Sequence, residues 1–138
     1  MKPIEKKTFY FVRHGQTDAN AQELMCGGEW DIPLNSAGMA QAELLIDKVF
    51  QQDEAIEKIY VSSMIRAQKT AEILNTKLQA PMETSESLIE WCVGDWERKP
   101  WKDVPNPFNT TEDPTNGETR EGFEERVIET INKFLKKE

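Results

Sequence analysis

The sequence predicts an α/β protein, a parallel-type sheet flanked by helices. Three observations carry that expectation. "TFYFV" (8–12) is an unbroken apolar run, as expected of a strand buried on both faces. "KIYVSS" (58–63) is a second short run, ending in two serines. Amphipathic segments follow each of them, so strand and helix alternate along the chain.

Residues 13–34 carry polar and Gly-rich punctuation and read as a functional loop with a short helical turn. "NSAGMAQAELLIDKVF" (35–50) reads as a helix capped by Asn35 or Ser36, with Met39, Ala42, Leu45, Ile46 and Val49 as its apolar stripe. "MIRAQKTAEILNTKL" (64–78) is a second helix, and "PMETSESLIEW" (81–91) holds a short third strand. Residues 98–118 contain four of the seven prolines and read as an irregular excursion. "ETREGFEERVIETINKFLKKE" is a closing amphipathic helix, with Phe123, Val127, Ile131 and Phe134 or Leu135 on its apolar face. Its terminal lysines suit the negative end of the helix dipole. Without a repeat or linker, residues 1–138 are expected to form a single domain.

Composition narrows the function. A net charge of −8 repels phosphate polymers, which argues against nucleic acid as a partner. A small anionic substrate stays open if local arginines outweigh the global field. No apolar run is long enough to span a bilayer, and the N-terminus lacks the apolar core of a secretory signal. The expected location is the cytoplasm, with Cys26 and Cys92 as reduced thiols.

Ligands of open α/β sheets bind at the carboxyl ends of the strands. Arg13 and His14 stand at such an end, and His14 is the only histidine in the chain. An arginine fork matches phosphate oxygens, and a neutral imidazole is a competent nucleophile toward phosphorus. Gly15 lets the backbone turn sharply, and Thr17 and Asn20 add a hydroxyl and an amide. Arg66, early in the second helix, can face the same strand ends. Glu90 stands beside Trp91 in an apolar neighbourhood, where a carboxyl can act as a general acid. Spacing alone favours the plainer readings: a core histidine with a structural arginine, a solvated Arg66 and an exposed Glu90.

Taken in order, these segments resemble the histidine phosphatase superfamily, the phosphoglycerate mutase-like group. "RHGQTDAN" is similar to R-H-G-x-T-x-x-N, and "GEWDIPLNSAGMAQA" to G-x-x-D-x-P-L-[ST]-x-x-G-x-x-Q-A. "SSMIRAQKTA" resembles S-x-x-x-R-A-x-x-T-A, "LIEWCVGDWE" resembles L-x-E-x-x-x-G-x-W-E, and "NGETREGFEERV" resembles G-E-S…F-x-x-R-V. The resemblance covers about residues 8–135 and is nearest to the small phosphatases of the α-ribazole phosphatase kind. Arg98 departs from it, standing where many relatives have glycine.

The resemblance implies a phosphomonoester hydrolase acting through phosphohistidine on a small phosphorylated metabolite. His14 would be the nucleophile and Glu90 the proton donor. Arg13, Asn20 and Arg66 would hold the phosphate, with Gly15, Thr17, Cys26 and Gly27 lining the substrate site, and no metal or other cofactor is implied. The loop around Cys26–Trp30 and the 98–118 excursion would shape the pocket. The resemblance also implies a second histidine, on a strand after the late helix. The sequence ends at Glu138 with His14 as its one histidine. The expectation is therefore a domain lacking the family's final strand and helix, with reduced activity and self-association through an exposed sheet edge. The same residues would also serve a non-catalytic phosphate binder or a mutase-type phosphotransferase.

Overall fold

A computed structural model describes residues 3–4, 7–50, 56–106 and 110–137. Its elements run α1 (Asp18–Ala21), α2 (Ser36–Phe50), β1 (Ile59–Ser62), α3 (Ile65–Leu78), β2 (Met82–Ser85) and α4 (Arg120–Lys137), with single 3-10 turns at Glu86–Leu88, Gly94–Trp96 and Trp101–Asp103. The fold is α/β. β1 and β2 pair in parallel, with Ile59 opposite Met82 and Ser62 opposite Ser85, and α3 is the crossover between them. Among the described residues no helix is long and apolar enough to cross a membrane.

The chain forms two compact units, each built from separated stretches. The sheet unit comprises Val12–Asp18 and Asp31–Glu86; the α4 unit comprises Met1–Phe11, Ala19–Trp30 and Ser87–Glu138. In the sheet unit, α2 packs on α3, and Leu34, Ala42, Val61, Met64, Ala71 and Leu74 form the core. Asn35 caps α2, its Oδ1 accepting the Gly38 N–H at 2.8 Å. α3 is started from outside its own segment. Asp31 Oδ1 accepts the Ile65 N–H at 2.7 Å, and Ser62 Oγ accepts the Met64 N–H at 3.2 Å. In the α4 unit, Trp91 stacks on Phe123 with ring centroids 5.8 Å apart and meets Trp96 edge-on. Residues 23–25 run against 98–101 through three main-chain bonds, Met25 N–H to Lys99 O, Arg98 N–H to Met25 O and Trp101 N–H to Glu23 O, which frame the Leu24–Pro100 bridge.

Two expectations are corrected. Residues 8–12 are not a buried strand: no ladder forms there among the described residues, and Phe11 is 82% exposed. An apolar run states β-propensity, whereas sheet membership needs a partner strand that no local pattern supplies. Met39 is 39% exposed: it shares the face of Ala42 and Ile46, but it stands in the first turn of α2, where the stripe is not covered. The 98–118 excursion is irregular, as expected, apart from the turn at Trp101–Asp103; residues 107–109 lie outside the described part.

Candidate active site

The sheet unit holds Arg13, His14, Gly15, Thr17 and Arg66. Arg13, His14 and Gly15 form one wall of a cavity of about 290 Å³; Gln41, Leu44, Leu45 and Lys48 of α2 form the other. Arg13 is exposed and His14 half-buried. His14 Nδ1 lies 2.6 Å from the Gly15 carbonyl oxygen. A carbonyl only accepts, so Nδ1 carries the proton in the neutral ring, and Nε2 is the unprotonated nitrogen. That is the tautomer a nitrogen nucleophile needs.

The turn bearing His14 is tethered to both neighbouring helices. The Gly15 N–H donates to Thr70 Oγ1 at 3.2 Å, and that hydroxyl donates to the Arg66 carbonyl at 2.8 Å. The Gln16 N–H donates to Gln41 Oε1 at 2.9 Å. The Gln16 carbonyl accepts the Asn35 N–H at 3.0 Å, and Asn35 Nδ2 donates to Gln16 Oε1 at 3.0 Å. α2 approaches this turn backbone to backbone. A Cβ on Gly38 would stand 2.1 Å from the Gln16 oxygen, and one on Gly15 would stand 2.3 Å from the Gly38 oxygen.

Thr17 and Arg66 are buried, at 0% and 2% exposure, and neither lines the cavity. Thr17 bridges to Leu34 beneath the turn. A solvated Arg66 is thereby excluded: α3 turns this guanidinium inward.

The α4 unit holds Asn20, Cys26, Gly27 and Glu90. Asn20 is half-buried in α1, and its carbonyl accepts the Glu23 N–H at 3.1 Å. Cys26 is half-buried with its thiol toward the Trp30 carbonyl, and buried Gly27 donates its N–H to Glu97 Oε1 at 2.5 Å. Glu90 is exposed, which corrects the expectation of apolar surroundings; its carboxylate accepts the Trp91 N–H at 2.8 Å. Trp91 takes the inward direction at this point, and Glu90 therefore faces water.

Sequence reasoning gave no role to the residue that holds Glu90's segment. Arg126 of α4 donates from Nη1 to the carbonyls of Ser87 (2.7 Å) and Ile89 (2.9 Å). It also grips Glu118 with a two-pronged contact, Nη2 to Oε1 at 2.7 Å and Nε to Oε2 at 3.0 Å. Glu118 Oε1 in turn accepts the Cys92 N–H at 3.0 Å. The hydrogen bond from Arg126 holds the Glu118 carboxyl below the usual carboxylate range, against an opposing push from burial. Burial, reinforced by Glu118 and Glu29, pushes the Cys92 thiol up. Arg126, Gln41 and Thr70 share one available signal: each is a polar residue at a fixed motif position on an otherwise amphipathic helix.

Comparison with known proteins decides the ancestry. Residues 9–138 match the histidine phosphatase superfamily (branch 1). The chain belongs to that family. It is 36% identical over 117 residues to the Bacillus subtilis (strain 168) protein named uncharacterized phosphatase PhoE, covering 85% of this chain and 58% of that one. It is 30% identical to the adenosylcobalamin/alpha-ribazole phosphatase of Escherichia coli (strain K12), covering 86% and 62%. The crystal structure of the alpha-ribazole phosphatase from Shigella flexneri superposes with a TM-score of 0.74 at 29% identity, over 91% of this chain and 66% of that one. The chain thus spans about three-fifths of the length of these two curated relatives.

Proposed function

We propose that the protein is a phosphomonoester hydrolase that forms a phosphohistidine at His14 and acts on a small phosphorylated metabolite. The observation that carries this reading is the His14 Nδ1 contact with the Gly15 carbonyl, which puts the ring proton on Nδ1 and makes Nε2 the unprotonated nitrogen of an imidazole on a cavity wall beside Arg13. Attack forms the Nε2–P bond and breaks the P–O bond to the leaving alkoxide; water then hydrolyses the adduct. Arg66 and Asn20 as phosphate ligands, and Glu90 as the donor of the leaving group's proton, are proposed on the motif match alone. The names of the relatives, phosphatases in both curated cases given above, favour hydrolysis over mutase-type transfer. Cys26 and Cys92, neither of them in a disulfide, fit a reducing compartment, the cytoplasm.

Intact-mass measurement after incubation with an activated phosphomonoester tests the reading. The expected result is an acid-labile gain of one phosphate mapped to His14, absent from His14→Ala, with product released beyond one equivalent. Labelling of His14→Ala at the parent's level removes His14 as nucleophile. Phosphate binding without adduct or product replaces the enzyme with a binding protein.

Self-association is proposed through residues 8–12, because Phe9, Tyr10, Phe11 and Val12 form an exposed apolar stretch that pairs in no ladder among the described residues. Light scattering should give a mass above the monomer's that Phe11→Lys lowers. A monomer at high concentration rejects the proposal.

A further inference from the structure

We propose that Gln41 is a positioning residue for the His14 imidazole, acting through the one peptide group that joins Gly15 to Gln16. The proposal rests on the reading of His14 as the nucleophile, and its test is separable from that reading. A trans peptide group is a rigid plane whose C=O and N–H point in opposite directions. At one end of this plane the Gln16 N–H donates to Gln41 Oε1, 2.9 Å away. At the other end the Gly15 oxygen accepts from His14 Nδ1, 2.6 Å away. Rotating the plane to break one contact breaks the other.

Glycine makes this control necessary. Gly15 has no Cβ to restrict its dihedrals, so the plane on its carboxyl side turns at little steric cost unless something grips it. The grip is Gln41. Only the oxygen of a carboxamide can face a backbone N–H, so the side chain has one useful orientation. The two contacts are also in series: an acceptor on the N–H polarises the peptide and strengthens its oxygen as an acceptor for Nδ1–H. The flanking peptide groups are tethered too, to Thr70 on one side and Asn35 on the other. Neither of those groups carries the His14 contact. This separates Gln41 from a residue that merely stabilises the turn.

The chain's single histidine makes the effect directly visible. With ¹⁵N-labelled histidine, the ring nitrogens of the whole protein are those of His14. Spectra are recorded on the full chain without substrate, at a pH well above the ordinary imidazole range so that the ring is neutral. The parent is expected to be protonated on Nδ1. Gln41→Met, which fills the same space without an acceptor, is expected to lower the Nδ1–H to Nε2–H ratio about fivefold, the shift that one ordinary hydrogen bond commands. Gln41→Glu keeps an acceptor for the Gln16 N–H and should restore the parent ratio, whereas Thr70→Val should leave it unchanged. Protonation on Nε2 in the parent overturns the proposal without any variant. An unchanged ratio in folded Gln41→Met overturns it as well. Adduct formation with an activated phosphomonoester is then compared across the same set. A parent that forms no adduct counts against the phosphatase reading, while the tautomer ratios still decide the role of Gln41.

Discussion

Replacing Arg126 by alanine should cost about 2–3 kcal/mol of folding stability. The residue makes four short contacts: two with the Glu118 carboxylate and one each with the carbonyls of Ser87 and Ile89. Breaking a fully buried ion pair costs roughly 3–5 kcal/mol, because the surviving charge is stranded, whereas a fully exposed pair is worth about 0–1 kcal/mol. The Arg126 and Glu118 side chains are 23% and 26% exposed, between those limits, so water recovers part of the loss. Arg126→Lys keeps the charge but loses the fork, and should cost about half as much. Urea denaturation measures both, provided that the slope m is unchanged. The pH dependence has a defined sign. The folded-state pKa of Glu118 is depressed, so its contribution is fully present above the unfolded carboxylate value and is lost as pH falls through the folded one. The stability gap between the parent and Glu118→Gln should therefore close in acid. An Arg126→Ala protein within about 0.5 kcal/mol of the parent, the range of an ordinary surface substitution, would refute the staple.

Other expectations follow from single contacts. Gly38→Ala drives a methyl into the Gln16 backbone and should destabilise by about 1–3 kcal/mol; no change in the denaturation midpoint would contradict that close approach. Thr70→Val leaves the Gly15 N–H buried without its acceptor, at a cost of about 1–3 kcal/mol that Thr70→Ser should largely recover. If the two variants are equally stable, the hydroxyl bridge is not formed. In a Cys26→Ser background, Cys92 should react with a disulfide reagent more slowly than free cysteine, and Glu118→Gln should speed it, since Glu118 disfavours the thiolate. A rate that ignores Glu118 would show that their coupling is absent.

Much of the fold was legible because its signals are local. The periodicity and cap of α2 lie within residues 35–50, and β1, α3, β2 and α4 each fall within about two residues of the segments that predict them. Residues 8–12 failed the same reading because a strand is completed by a distant partner. The site shows the same division. Arg13, His14 and Gly15 are contiguous and do form one cavity wall, while the burial of Arg66 and the exposure of Glu90 depend on which way a tertiary neighbour turns them. Gln41, Thr70 and Arg126 satisfy backbone groups 25, 55 and 37–39 residues away, a service that no local pattern announces.

If the proposed function holds, the tethers on the His14 turn decide what kind of anion trap it is. Many phosphate sites are cradles of free main-chain N–H groups, whose partial charges belong to the fold itself. Here the amides of Gly15 and Gln16 already point at Thr70 and Gln41. Under the proposed function, a phosphate at this cavity wall would be met by side chains instead, with exposed Arg13 foremost. Formal charge at an exposed rim is felt over only about 10 Å in 0.1 M salt, so anion capture here is tuned by ionic strength. It is also portable in evolution: one codon at the rim can raise, lower or abolish affinity, and the backbone beneath need not move.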